Sequence, residues 1–220
     1  MSESRQQILD RIRRATVDRS PGARGELARE YIQRGHLDRS ACIQLMIERL
    51  REYDAEVVEC EPRDLTACIA DCLRRSSKRI LVAPPGLPAE WLVQGFSWKV
   101  DKDLPHAAIE DSDGVLTACF AAIADSGTIV LHHSPSEGRR VITLLPDGHF
   151  CILRTSQIVE TLPEYFKLCE QPPKLATYIS GPSATADIEM TRIRGVHGPR
   201  FLHVIVVHDE VRSEEATHPH

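Results

Sequence analysis

Apolar positions recur along this chain with two different spacings. Up to about Thr16, Ile8, Leu9 and Ile12 share one side of a short, otherwise charged helix. Ser20-Pro21-Gly22 then breaks the pattern. From Asp38, whose carboxylate can cap a helix, Ile43, Leu45, Met46, Ile47 and Leu50 form a stronger apolar side before the strand-like Glu56-Val57-Val58. Pro62 opens a further helix through Leu73, with Leu65, Ile69, Cys72 and Leu73 at helical spacing.

Short continuous apolar runs alternate with these helices. Arg79 to Ala83 reads as a strand buried on both sides, and so do Thr128 to Leu131, Val141 to Leu145, Cys151 to Leu153 and Phe201 to Val207. Pro146-Asp147-Gly148-His149 has the residues of a tight turn, which predicts an antiparallel hairpin between the runs flanking it. A helix is expected over Ser156 to Cys169, a strand over Lys174 to Ser180 and a helix over Ala186 to Ile193. The alternation predicts an α/β fold: three layers, a mainly parallel sheet with helices on both faces, and an N-terminal helical arm. The arm is placed at residues 1–20, the α/β domain at 21–209 and a flexible tail without apolar periodicity at 210–220.

Composition narrows the function classes. A chain of 220 residues can bury roughly 70% of its unfolded surface, enough for a sizeable core. A formal net charge of −5 argues against nucleic acid as a partner. No apolar run reaches the roughly 18 residues of a membrane span, and the first residues lack the apolar centre of a signal peptide, so a cytoplasmic location is expected. There the seven cysteines should be thiols. Cys68 and Cys72 share a helix face, but a zinc or iron-sulfur site would need two more close ligands. No metal is therefore expected on this chain.

Four segments can carry chemistry. Asp125, Ser126, Gly127 and Thr128 lead into a strand and can meet a polar ligand through hydroxyls and backbone amides, or form a plain capped turn. Gly181, Ser183 and Thr185 lie in a small-residue loop before the expected helix and Asp187 in its first turn, where amides and helix dipole suit an anion; N-capping explains the same residues. Neither a phosphate-binding G-x-x-x-x-G-K loop nor a dinucleotide fingerprint is present. Gly181 and Ser183 match half of a nucleophile elbow, but Thr185 stands where the second glycine is required. His197 and Gly198, before the last strand, form an open histidine loop able to bind or shuttle a proton. His132 and His133 are adjacent and point to opposite faces of a strand, which disfavours chelation. Arg139 and Arg140 can clamp a carboxylate or remain solvated charges.

In sequence order, AIADSGTIVL, LLPDGHFCIL, ISGPSATADIE and GVHGPRFLHVIVV resemble the LUD domain of the lactate-utilization C family, over about Asp113 to Val207. Ser126 replaces a threonine of the usual acid-Thr-Gly-Thr wording and keeps the hydroxyl. The resemblance implies a fold similar to the sugar-phosphate isomerase and CoA-transferase group. It also implies a place in a three-protein system that oxidises L-lactate to pyruvate. Iron-sulfur clusters are then expected on the companion subunits, with no cofactor on this chain.

The leading expectation is a non-redox subunit that binds a small carboxylate, or docks its partners, through Asp125, Ser126, Gly127, Thr128, Gly181, Ser183, Thr185, Asp187, His197 and Gly198 gathered at one rim of the parallel sheet. No catalytic residue is assigned. The competing expectations are an acyl- or CoA-transferring enzyme with Asp125 as carboxylate nucleophile, and a regulatory or scaffolding module.

Overall fold

The computed structural model describes residues 3–16, 32–171, 173–185, 193–194 and 198–209. Two compact units divide the chain, Met1–Ile32 and Gln33–His220. In the first, helix α1 (Glu3–Thr16) carries an Arg13–Asp10 pair at 3.1 Å and leaves Ile8 and Ile12 exposed.

The second unit begins with α2 (Arg39–Glu52), where the Ala41 amide donates to Asp38 Oδ1 at 2.8 Å, the cap expected from the sequence. Then follow β1 (Glu56–Cys60), α3 (Leu65–Arg75), β2 (Ile80–Ala83), β3 (Ser97–Val100), α4 (His106–Glu110), β4 (Gly114–Thr117), β5 (Ala121–Ile123) and β6 (Thr128–Leu131). The remaining elements are β7 (Gly148–Arg154), β8 (Ile158–Val159), α5 (Leu162–Leu168), β9 (Thr177–Ile179), β10 (Ala184–Thr185), β11 (Ile193–Arg194) and β12 (Phe201–Val207).

Six strands form a wholly parallel sheet in the order β1-β12-β7-β4-β2-β3. Alternate residues of its central strands feed two cores. On one face Leu202, Val204, Val206, Cys151 and Leu153 pack with Met46, Ile47 and Leu50 of α2. On the other, Ile205, Val207, Phe150 and Ile152 pack with Ile69, Cys72 and Leu73 of α3. Burying each large side chain contributes about 1.5–3 kcal/mol relative to exposure. Helices thus cover both faces of a parallel sheet, as the alternating pattern predicts. Among the described residues, no helix is long and apolar enough to cross a membrane.

A second sheet, β8-β5-β6-β9, was not foreseen. β6 runs antiparallel to β5 and β9, while β8 joins β5 in parallel. Its Ala122, Ile129 and Leu131 close the α2-side core.

Several expected elements are corrected. Val141 to Leu145 is not a strand: residues Arg140–Thr143 form a single 3-10 turn whose Ile142 packs on Val82, Ile109 and Val115. No hairpin follows, because β7 pairs in parallel with β12 and β4. Asp147 of the supposed turn instead accepts from Lys78 Nζ at 2.9 Å and pairs with Arg200. The helix expected over Ser156 to Cys169 is confined to Leu162–Leu168, with Ile158–Val159 drawn into the second sheet beside β5. Of the helix expected at Ala186 to Ile193, residues 186–192 lie outside the described residues, and Ile193 pairs as a strand with Thr185.

Candidate functional site

A cavity of about 250 Å³ lies between β9 with its following turn and the amino ends of β7 and β12. Among the described residues its one cation comes from Arg140, first residue of the 3-10 turn. The preceding Arg139 anchors that turn: Nε and Nη2 donate to the two Asp101 oxygens at 2.7 and 2.8 Å, and Nη2 also donates to the Leu104 carbonyl at 2.6 Å. Arg139 thereby holds the buried Asp101 carboxyl below its usual range. Arg140 has no such use. It is exposed, and among the described residues it donates no hydrogen bond and enters no ion pair.

The inner wall carries His149, second residue of β7 and 1% exposed. Its Nε2 lies 2.8 Å from Thr117 Oγ1 at the end of β4. Burial, and then the nearby His203, push its pKa down to about 4, so the ring is neutral near pH 7. Nδ1 has no hydrogen-bond partner among the described residues. Thr177, Ser180 and Ser183 supply hydroxyls.

Backbone shape makes the outer wall. Gly181 turns the chain after β9 at φ +87°, and a Cβ there would come within 2.7 Å of Tyr53 Cβ, so glycine is required. The Ser183 amide donates to the Pro199 carbonyl at 2.8 Å, joining this turn to the one before β12. Behind Thr177 stands His133, itself at φ +58°. His133 Nδ1 lies 2.8 Å from the Gly138 carbonyl, which makes it the donor, and Nε2 accepts from Thr177 Oγ1 at 2.8 Å.

The expected site residues divide between two places. Gly181, Ser183 and Gly198 line the cavity with Arg140 and His149. Asp125, Ser126 and Thr128 line a second recess, with Leu162 and Phe166 of α5. Tyr178 borders both. Gly127, at φ +60°, packs its Cα against Arg49 of α2. The bend at Asp125 to Thr128 therefore belongs to the second sheet rather than to a rim of the parallel one. It still reaches the cavity through Thr128 Oγ1, 2.8 Å from both Ser126 Oγ and Ser180 Oγ. Thr185 takes part in the β10–β11 pairing. Asp187 and His197 lie outside the described residues.

Open parallel sheets usually hold ligands at the carboxyl ends of their strands, and a wider recess of about 460 Å³ does lie beyond β2 and β3. Its Arg139 and Asp101 neutralise each other, which leaves Asp103 and Arg140 as opposing charges. The cavity at the amino ends shares Arg140 with that recess but has no carboxylate among its described lining residues, and so suits an anion better.

His149 was missed as a site residue, and Arg140 was offered only with Arg139, as one of two readings of the pair. The arginine pair was visible in the sequence without a sign of which member is free. His149 read as part of a turn, because only the parallel pairing of β7 buries it.

A family profile for the LUD domain matches residues 43–207. Among curated relatives, lactate utilization protein C of Deinococcus radiodurans is 37% identical over 210 residues, covering 94% of this chain and 96% of that one. Lactate utilization protein C of an Exiguobacterium species is 33% identical over 168 residues, covering 70% and 72%. A crystal structure of a DUF162 family protein from Deinococcus radiodurans superposes with a TM-score of 0.66 at 35% identity, over 78% of this chain and 99% of that one.

Proposed function

This chain belongs to the LUD domain family, and from that premise we propose that it is a non-redox subunit of an L-lactate utilization system that binds a small carboxylate. The relatives named for lactate utilization support the pathway. The observation that carries the ligand class is Arg140, a guanidinium without an ion partner among the described residues, at the mouth of a cavity lined by hydroxyls and a neutral histidine.

A guanidinium fork matches a carboxylate bidentately. A carboxylate on Arg140 would share the cavity with His149, and the carbon next to it carries a hydroxyl in L-lactate and a carbonyl in pyruvate. A neutral imidazole can accept from the first or donate to the second according to its tautomer. About 250 Å³ accommodates a three-carbon acid with water. Electron transfer is assigned to iron-sulfur companion proteins, since the seven cysteines of this chain form no C-x-x-C pair.

Two measurements test the reading. Calorimetric titration with L-lactate and with pyruvate should show saturable binding that Arg140→Ala abolishes. Affinity capture with the tagged chain from lactate-grown cells should retain companion proteins bearing iron-sulfur clusters. Absence of both signals would refute it.

A further inference from the structure

On the α3 face of the parallel sheet, away from the cavity, Glu56 opens β1, Cys72 lies on the buried side of α3 and His203 sits on β12 opposite Glu56. One ligand atom from each lies within 4.8 Å of the others. We propose that Glu56, Cys72 and His203 form a binding site for a divalent cation of the zinc class, with a water in the fourth position.

The second observation is an orphaned nitrogen. Among the described residues His203 Nδ1 is buried without a hydrogen bond, although Glu56 Oε2 is 3.1 Å away. Leaving a buried polar atom unpaired is costly, and a metal bond satisfies it. The ring cannot easily turn away, since it stacks on Phe150 at 4.5 Å and 8°. Burial also holds His203 below the usual histidine range, hence neutral and available as a ligand.

Thiolate sulfur, imidazole nitrogen and carboxylate oxygen are the donors zinc prefers, and three protein ligands plus water is the composition of an open zinc site. Tetrahedral bonds to these atoms place them roughly 3.3–3.8 Å apart. Glu56 Oε2 already lies 3.1 Å from His203 Nδ1, so the contraction falls on the distances to Cys72, and Glu56, whose side chain is 47% exposed, gives the ion its way in. Nearby cations do not block it. Arg75 engages the other carboxylate oxygen of Glu56 at 3.8 Å, where it can orient the ligand, and Lys78 is neutralised by Asp147. Burial pushes the Cys72 thiol up to about 12, so it is protonated without metal. Binding releases that proton to solvent as the sulfur–metal bond forms. The ion would tie α3 to β1 and β12. Cys68, one helical turn from Cys72, was the partner considered from the sequence; the fold supplies two better ones.

The full-length protein, stripped with chelator and titrated with Co²⁺, should develop a near-ultraviolet thiolate-to-cobalt band that one equivalent of Zn²⁺ displaces. Cys72→Ser should abolish the band and Cys68→Ser should leave it. Glu56→Gln, at an exposed position where folding is not at risk, should remove the rise in melting temperature that Zn²⁺ gives the parent protein. A band that survives Cys72→Ser, a band lost in Cys68→Ser, or equal Zn²⁺ stabilisation of parent and Glu56→Gln would overturn the assignment.

Discussion

The hydroxyls of Thr128 and Ser180 meet at 2.8 Å and fix the turn between β5 and β6 to the end of β9, at the wall of the cavity. Thr128 is buried and shares its hydroxyl with Ser126 as well. Thr128→Val keeps the shape and removes both contacts. It should lower stability by about 1 kcal/mol, read as a shifted denaturant midpoint with unchanged slope. It should also weaken pyruvate binding while leaving the ligand's stoichiometry at one.

Gly181→Ala tests whether the outer wall depends on its left-handed turn. The residue holds φ +87°, and the added methyl would meet both Cβ and the carbonyl oxygen of Tyr53, at 2.7 and 2.9 Å. A loss of about 1–3 kcal/mol is expected from the backbone alone. Thermal unfolding that matches the parent protein would show that this turn is not held as described.

Asp101→Asn should release the 3-10 turn that presents Arg140. The change removes a charge-assisted fork at 2.7 and 2.8 Å from a carboxylate that is 6% exposed, with an expected cost of roughly 2 kcal/mol. Because the folded carboxyl titrates below its ordinary value of 3.8, the parent protein has this contribution above that pH and loses it on further acidification. The variant should show a smaller acid-induced fall in melting temperature.

His149 gives stability a second pH dependence, of opposite chemistry. Its pKa is about 4 in the folded chain against 6.5 when free, so between these values the unfolded state takes up a proton that the native state refuses. Stability should therefore be complete above about pH 6.5 and fall by about 3 kcal/mol toward pH 4. His149→Gln should flatten the curve in that window; an unchanged curve would mean that the ring is not buried neutral.

How far the sequence revealed this molecule depended on whether local pattern and tertiary partner agreed. Phe201–Val207 was read with its bounds intact, since Val204 to Val207, held between β7 and β1, are apolar and buried on both faces. Asp38 was read as a cap from its own chemistry. Val141 to Leu145 misled because a short apolar run looks the same as a strand or as a buried turn, and only Ile142 packing on Val82 decides it. The Asp147-Gly148 pair carries hairpin chemistry, yet Gly148 is the first residue of a strand paired with Phe201, far along the chain. The three residues of β5 escaped notice for the opposite reason: Ala121-Ala122-Ile123 has little strand signal of its own and is defined by β6 and β8. The cavity was half legible. Its glycines and serines stood out as loop residues, whereas the roles of Arg140 and His149 depend on which neighbours are already paired.

Histidine-ring NMR during a pyruvate titration tests most directly whether a carboxylate is held between Arg140 and His149. Saturable shifts of the His149 resonances that vanish in Arg140→Ala are expected. A His149 signal that stays fixed while pyruvate binds, or that moves equally in Arg140→Ala, would contradict it.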